Sequence, residues 1–357
     1  MPTEIDALIH EINKKQKEEV LVRGSDLRHV TYQRATTGSL AFDLMLGGGW
    51  PLNCWNEVIG NESAGKTAIV LKTIAANEAL NPDYHTLWVA AEEFDPEWAE
   101  ALGVNLDNFT FVLTNVMESA YDAVLSILDE RAVDAVVIDS YPALVPSEED
   151  DKTMMELTVG RGAYMTNKFM RKSMAVQRRS LVAPDRPCLA ILINQWRERI
   201  GVMYGDPRTT PGGKGKNYRF LTRVEVAREE WITDSGKNKV GQMIKGRTVK
   251  NKTAPPQRVA VVPFYFDDYK DHAKGSYGIV QQVHAIAIDK GIIEQKGSWY
   301  YFGDHRWQGE KPVLAALQTD PLLLHAVEAQ VRHIILGEPL PPPTEAPRKK
   351  RSISRSK

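Results

Sequence analysis

The stretch Gly60-Asn61-Glu62-Ser63-Ala64-Gly65-Lys66-Thr67 decides the fold, because it satisfies the pattern G-x-x-x-x-G-K-T in full. An apolar strand, residues 56–59, runs into it, and residues 67–79 follow as a helical pattern. We expect Ala68, in the first turn of that helix, to belong to the nucleotide site together with the loop. Such a loop curls backbone N–H groups around phosphate oxygens, and the helix presents its positive end. Lys66 reaches the β- and γ-phosphates, and the Thr67 hydroxyl binds Mg²⁺. The stretch predicts a nucleoside triphosphate site, and the alternative is a structural turn.

Further apolar runs alternate with helical patterns along the chain. The runs cover residues 86–91, 134–139 and 188–194, and the helical patterns cover residues 119–131 and 160–179. This alternation indicates a mostly parallel central sheet that helices cover on both faces. Ligands of such sheets bind beyond the carboxyl ends of the strands. We therefore predict an α/β fold with the functional side chains at one edge of the sheet.

Polar side chains end or follow three of these strands. Asp139 closes one of them, where a phosphate-loop enzyme places the carboxylate that orients Mg²⁺ and its water; an ordinary strand-end Asp is the alternative. Glu92 follows another and is the candidate base for the attacking water, whereas we expect Glu93 to be a solvated surface charge. Gln195 follows the last strand and could sense the γ-phosphate by a hydrogen bond, or could simply cap the strand.

Two basic elements are expected beyond the same edge of the predicted sheet. A basic run is usually only a solvated face, but a long basic helix next to a glycine-rich basic loop, residues 196–217, suits a nucleic-acid backbone better. The helix residues are Arg161, Lys168, Arg171, Lys172, Arg178 and Arg179, and the loop residues are Arg197, Arg199, Arg208, Lys214 and Lys216. The pattern predicts nucleic-acid binding, and a loop without helix or strand periodicity.

Composition limits the other classes of protein. The formal net charge is −1, so an anionic partner must be held by local basic patches. The two cysteines, Cys54 and Cys188, make no disulfide framework and no zinc site, and they fit a reducing compartment. No stretch approaches the ~18 apolar residues of a membrane span, and the N-terminus lacks the apolar segment of a signal peptide. We expect a cytoplasmic protein with no membrane partner.

Four segments are expected along the chain. Residues 1–33 form a short amphipathic helix and linker, whose stripe of Ile5, Leu8, Ile9 and Ile12 must pack on its own core or on a neighbouring subunit. The phosphate-binding core spans residues 34–268. A small α/β domain with one strand and two helices spans residues 269–336, and residues 337–357 form a disordered, proline-rich basic tail.

Several motifs together resemble the RecA family of strand-exchange recombinases. Thr37-Gly38-Ser39-Leu40, with Asp43 and three glycines after it, resembles the family's approach to the phosphate loop. The stretch VDAVVIDSYPALVP resembles its magnesium strand, and Asn194-Gln195 with Ile200-Gly201-Val202-Met203-Tyr204-Gly205-Asp206-Pro207 resembles its second DNA-binding loop. The motifs V-K-N-K and G-S-W-Y follow near residues 249 and 297. The likeness spans about residues 34–335.

This resemblance implies roles for individual residues. Glu92 would be the catalytic glutamate, Asp139 the magnesium ligand and Gln195 the γ-phosphate switch. Lys250 and Lys252 would reach the ATP of the neighbouring subunit. Asp95 and Trp98 would contact adenine, and Tyr218 would lie at the subunit interface. The residues in DNA-contacting regions are Arg171, Arg197, Arg199, Ile200, Gly201, Val202, Met203, Arg208, Gly212 and Gly213.

Some positions depart from the family pattern. The usual D-A-E motif is Ala90-Ala91-Glu92 here and lacks its first carboxylate, which leaves Glu93 as an alternative register for the base. Arg208 stands where an acidic residue is usual, and the tail is basic where bacterial members end acidic. The compact N-terminus and divergent loops would suit a bacteriophage member, acting in a phage-infected host if not in a bacterial cell.

The resemblance implies an ATP- and Mg²⁺-dependent recombinase. It would self-associate head to tail into a helical filament on single-stranded DNA, pair that strand with a homologous duplex, and hydrolyse ATP when DNA is bound. A hexameric helicase or motor of the same fold is one alternative, and the glycine-rich loop argues against it. A low-activity paralogue that binds DNA as an accessory is the other, and the missing carboxylate at Ala90 favours it.

Overall fold

The computed structural model describes residues 3–16, 20–24, 33–150, 160–182, 186–198 and 207–341, with the backbone alone for residues 149–150 and 178–182. The chain forms two compact units, Met1–Tyr277 and Gly278–Lys357. Within the described residues, no helix combines the length and the apolar character that a membrane crossing needs.

An eight-stranded sheet forms the centre of the first unit. Its order is β12-β11-β10-β3-β7-β6-β4-β5, and the strands from β10 to β5 are parallel neighbours, whereas β10, β11 and β12 pair antiparallel. The bounds of these strands are β3 Cys54–Gly60, β4 Thr86–Ala90, β5 Phe109–Val112, β6 Ala135–Asp139, β7 Leu189–Gln195, β10 Thr222–Thr233, β11 Lys239–Asn251 and β12 Val259–Tyr265. The predicted mostly parallel α/β sheet is confirmed.

The interior strands are apolar because helices cover both of their faces. Every residue of β6 is buried, and two separate clusters of buried side chains lie against the sheet, one containing Trp88 and Ile244 and the other Trp55 and Leu192. The helices of this unit are α1 Glu4–Gln16, α2 Leu40–Leu46, α3 Lys66–Leu80, α4 Pro96–Ala101, α5 Met117–Glu130, α6 Ser147–Asp150, α7 Arg161–Val182 and α8 Gly213–Asn217. Two short pairs of strands complete it, β1 Arg34–Ala35 with β2 Trp50–Pro51 and β8 Arg197–Glu198 with β9 Arg208–Thr209.

The glycine-rich loop is more regular than its sequence suggests. The prediction of no regular structure over residues 196–217 is wrong in part, because β8 and β9 pair as a two-stranded stem and α8 follows. Such short elements leave no periodicity to detect. Residues 199–206 lie outside the described residues.

The second unit is built on a small antiparallel sheet. Its strands are β13 Glu294–Lys296, β14 Trp299–Phe302 and β15 His305–Gln308, and its helices are α9 Ile279–Asp289, α10 Glu310–Thr319 and α11 Pro321–Leu336. The expected strand near residue 299 is present, but the described part of this unit has three strands and three helices in place of the one strand and two helices expected. The tail from residue 342 lies outside the described residues.

Candidate nucleotide site and DNA-binding loop

The phosphate loop turns sharply between β3 and α3. Gly65 caps the N-terminus of α3 with φ of +94°, a left-handed conformation that L side chains rarely adopt. A Cβ at Gly65 would stand 2.8 Å from Ile244 Cδ1, so the turn also requires the small residue for space. The free N–H groups at this helix end therefore face the space above the sheet, where an anion is favoured.

The Lys66 side chain is held by a backbone carbonyl of the same loop. Its Nζ donates a hydrogen bond to the carbonyl oxygen of Asn61 at 2.7 Å, and the side chain is buried. Burial lowers the pKa of Lys66, while the carboxylates of Asp139, Glu92 and Glu62 act in the opposite direction. A phosphate would give this ammonium a charged acceptor in place of a neutral carbonyl.

Asp139 and Thr67 meet at the end of β6. The Thr67 hydroxyl donates to Asp139 Oδ2 at 2.9 Å. Burial raises the pKa of Asp139 to about 6; the Thr67 hydrogen bond and Lys66 lower it, and Glu92 raises it. A buried carboxylate beside a hydroxyl matches the oxygen ligands of Mg²⁺, which keeps several waters and takes few protein ligands. The pair therefore fits a magnesium ion, whose charge would offset the cost of burying the carboxylate.

Glu92 follows β4 and Gln195 ends β7, and the two side chains meet although β6 lies between these strands. Gln195 Nε2 donates to Glu92 Oε1 at 3.4 Å, and the Ser140 hydroxyl donates to the same oxygen. The backbone N–H of Glu92 donates to the Asp139 carbonyl at 3.2 Å. Glu92 and Gln195 line the cavity described below, and Glu93 does not. Of the two carboxylates, the cavity therefore contains Glu92 and not Glu93.

A cavity of about 370 Å³ contains most of these groups. Its lining is Glu62, Ser63, Gly65, Lys66, Thr67, Ala68, Glu92, Trp98, Asp139, Ser140, Ile193, Gln195, Trp231, Gln242, Phe264 and Phe266. Hydrogen bonds link polar groups of the lining to one another, and ring contacts link its aromatic residues, so the lining combines a polar and an aromatic set that together suit a nucleotide with a stacked base.

The aromatic wall was missed in the sequence. Trp231 lies on β10, Phe264 lies on β12 and Phe266 follows β12, far along the chain from the phosphate loop. Trp98 packs edge-on against Phe264 with ring centroids 6.2 Å apart. The available signal was a run of aromatic residues at strand ends, which is too common to assign without the sheet order.

Not every predicted nucleotide contact lines the cavity. Asp95 caps α4 instead, with its Oδ1 accepting a hydrogen bond from the backbone N–H of Trp98 at 3.0 Å. This places Asp95 as a support for Trp98. Gly60 ends β3, Asn61 and Ala64 belong to the turn that follows, and none of the three lines the cavity.

Five of the predicted DNA contacts lie within the described residues, on the stem, on the basic helix and at the start of α8. Arg197 on β8 and Arg171 on α7 are exposed. Arg208 has partners within the protein: its guanidinium pairs with Glu225 and lies 4.9 Å from the centroid of the Trp196 ring. Gly212 precedes α8 and Gly213 begins it. The predicted contacts Arg199, Ile200, Gly201, Val202 and Met203 lie outside the described residues.

Lys250 and Lys252 lie away from the cavity of their own chain. Lys250 Nζ donates to the carbonyls of Asn217 at 2.7 Å and Tyr218 at 3.2 Å, and Lys252 is exposed. Burial lowers the pKa of Lys250 to about 8, with Lys252 and Arg223 acting in the same direction. Neither lysine lines the nucleotide cavity, and the Tyr218 side chain is exposed.

The family model of the RecA N-terminal domain matches residues 3–269, and that of the RecA C-terminal domain matches residues 282–336. The chain belongs to the RecA family. It is 35% identical to Protein RecA of Lactobacillus acidophilus over 333 residues, which cover 92% of this chain and 87% of that protein. It is 35% identical to the Thermus aquaticus protein of the same name over 323 residues, covering 90% and 91%, and 34% identical to the Aquifex aeolicus protein over 333 residues, covering 92% and 91%.

RecA family membership confirms the predicted family and agrees with the geometry. It supports ATP binding, DNA binding and a role in DNA recombination and repair. The phosphate loop, the buried Asp139 and the stem of the basic loop all lie within the region that the N-terminal model matches. The RecA family is a recombinase family, and ATP hydrolysis belongs to it.

Proposed function

We propose that this protein is an ATP-dependent DNA recombinase. It forms a helical filament on single-stranded DNA, pairs that strand with a homologous duplex and catalyses strand exchange, and DNA stimulates its ATP hydrolysis. The observation that carries the proposal is the hydrogen bond from Gln195 to Glu92, because Gln195 ends β7 only two residues before the stem of the basic loop. The nucleotide cavity and the loop thus share one short segment of chain.

Hydrolysis follows from the residues in the cavity. Lys66 and the loop N–H groups bind and neutralise the phosphates, and the aromatic wall with Trp98 holds the base. Thr67 and Asp139 would hold Mg²⁺, which supplies positive charge to the phosphate oxygens when bound. Glu92 accepts a proton from the attacking water as the new bond to the γ-phosphorus forms and the bond to the β-phosphate oxygen breaks.

The γ-phosphate acts as the signal for DNA binding. The Gln195 amide is bound to Glu92 at the edge of the cavity. A γ-phosphate competes for the same amide, and the exchange moves the residue that leads into β8. Loss of the phosphate after hydrolysis restores the first arrangement and releases DNA.

Self-association accounts for the exposed face of α1 and gives Lys250 and Lys252 their role. α1 has no buried residue, and Ile5 and Leu8 are each 50% exposed. A neighbouring protomer would cover that face, and Lys250 and Lys252 of one protomer would complete the ATP site of the next. A head-to-tail interface of this kind does not close on itself and generates a filament.

A strand-exchange assay tests the proposal. The full chain is incubated with ATP, Mg²⁺, a circular single strand and a homologous linear duplex, and ATP turnover is measured with and without the single strand. We expect joint molecules that require homology, and turnover that rises when DNA is present. A protein that binds DNA but neither exchanges strands nor raises its turnover would instead be the accessory paralogue. Directional unwinding by closed rings would identify a motor.

A further inference from the structure

A buried carboxylate is linked through one lysine to the residue that follows the stem of the basic loop. Glu57 on β3 is fully buried, and its two oxygens accept from three donors. Lys216 Nζ donates to Oε1 at 2.7 Å, Asn194 Nδ2 donates to the same oxygen at 2.8 Å, and Arg223 Nε donates to Oε2. These groups come from β3, β7, α8 and β10, so one carboxylate ties four elements together.

Lys216 is a buried lysine with a full set of acceptors. Its side chain is 0% exposed, and its ammonium donates to Thr210 Oγ1 and Asn217 Oδ1, each at 2.9 Å, as well as to Glu57. Its place in the basic loop predicted contact with nucleic acid, and the structure contradicts that expectation. A buried ion pair is weak evidence of stabilisation, because its desolvation offsets the attraction. Its geometry, however, admits few arrangements of the groups that it joins.

The cluster joins the nucleotide side of the sheet edge to the loop side. On the nucleotide side, Asn194 Oδ1 accepts from the backbone N–H of Gln195 at 2.9 Å while its amide holds Glu57. On the loop side, Thr210 follows β9 directly and receives the Lys216 ammonium. A continuous chain of hydrogen bonds therefore runs from Gln195 through Asn194, Glu57 and Lys216 to Thr210.

The backbone before α8 is shaped to admit this lysine. Gly212 has φ of +89°, and a Cβ there would stand 2.8 Å from Lys216 Cδ and 2.8 Å from the Tyr141 hydroxyl. A side chain at this position would push Lys216 out of its buried site. The turn and the ion pair are thus one unit at the exit of the loop.

We infer that the buried pair of Glu57 and Lys216 is a positioning device that couples the nucleotide-sensing Gln195 to the stem of the DNA-binding loop. The inference rests on the proposed function. It adds Glu57 and Lys216, to which the proposed function assigns no contact with nucleotide or DNA. A shift of Gln195 toward a γ-phosphate pulls on Asn194, and the shared carboxylate passes the change to Lys216 and the stem. By linkage, DNA on the loop strengthens nucleotide binding by the same factor.

The test measures the coupling factor, defined as the affinity for a non-hydrolysable ATP analogue with oligo(dT) divided by the affinity without it. Lys216→Met removes the ammonium and keeps a long apolar side chain. We expect its coupling factor to fall at least fivefold toward 1, while the affinity without DNA stays within about twofold of wild type. The matched control is Lys245→Met, which breaks an exposed pair with Glu229 and should keep the wild-type coupling factor.

Two further variants separate coupling from stability. Thr210→Val removes one hydrogen bond at the stem and leaves the ion pair, so it should lower the coupling factor less than Lys216→Met without loss of folding. Glu57→Gln with Lys216→Met removes the buried carboxylate together with its ammonium partner and should recover thermal stability but not coupling. Wild-type coupling in Lys216→Met and Thr210→Val would overturn the inference, as would a parallel loss of affinity without DNA. A wild-type coupling factor of 1 would sink the proposed function itself.

Discussion

Substitution of Asp139 by asparagine should stabilise the protein in the absence of nucleotide while it abolishes magnesium-dependent activity. Burial raises the pKa of Asp139 from 3.8 to about 6. Each tenfold change in proton affinity corresponds to about 1.4 kcal/mol, so the raised pKa implies a cost of about 3 kcal/mol for the ionised form in the folded state. Asparagine has the shape of the neutral acid and can still accept the Thr67 hydrogen bond, so it avoids this cost.

The gain should depend on pH in a defined direction. A carboxyl whose folded pKa is raised binds its proton more tightly in the folded state, so wild-type stability falls as pH rises from about 4 to 6. The amide that replaces the carboxyl does not titrate. The gain in free energy of unfolding from Asp139→Asn should therefore be small near pH 4, grow through pH 6 and level off at about 3 kcal/mol above pH 7.

The assay is thermal unfolding of both proteins without nucleotide, at one protein concentration and several pH values. Unfolding entropy of about 2 cal/mol/K per residue over the unit Met1–Tyr277 converts 3 kcal/mol into a rise of about 5 °C at pH 7.5. Mg²⁺-ATP should raise the midpoint of wild type more than that of the variant, because the variant keeps Lys66 and the loop N–H groups but lacks the carboxylate for the cation. Equal midpoints at every pH, or a less stable variant at pH 7.5, would refute the reasoning. They would show that burial of the ionised Asp139 carboxylate does not lower the free energy of unfolding.

Three further outcomes follow from the site. Trp98→Ala should weaken ATP-analogue binding about tenfold in a fluorescence titration, since base stacking contributes roughly 1–3 kcal/mol; unchanged affinity would place the base elsewhere. Gly65→Ala adds left-handed strain of about 1–2 kcal/mol and a Cβ 2.8 Å from Ile244, so analogue binding should fall at least tenfold, and wild-type affinity would contradict the geometry of the turn. DNA-stimulated turnover should decline as pH rises through about 8, where Lys250 loses its proton, and Lys250→Arg should shift that decline upward. A decline at the same pH in both proteins would exclude Lys250 as its source.

The phosphate-binding half of the site could be predicted from the sequence because each part is local. Fully buried parallel strands appear as continuous apolar runs, and the residue that follows each run lies at the carboxyl edge by construction. The observed β6, Ala135–Asp139, differs by one residue from the expected run. The placement of Asp139, Glu92 and Gln195 in one cavity could thus be predicted without the strand order.

The aromatic wall and the buried ion pair depend on the order and register of the strands, which sequence patterns do not give. Phe264 reaches the cavity only because β12 pairs antiparallel with β11 at the edge of the sheet. Glu57 and Lys216 are 159 positions apart, and they meet because β3 lies between β10 and β7. A buried lysine and an exposed one have the same side chain, so Lys216 could not be told from the other basic residues of its loop.

The unusual charges of this molecule lie where the proposed cycle needs two arrangements. A buried carboxylate at Asp139 and a buried ammonium at Lys66 both carry shifted pKa values, and both would gain a partner of opposite charge from Mg²⁺-ATP. Glu57 and Lys216, by contrast, already satisfy each other. The first pair is thus free to respond to nucleotide, and the second can only transmit a displacement. A switch requires both kinds of site, because a ligand shifts an equilibrium only through contacts that differ between the two states.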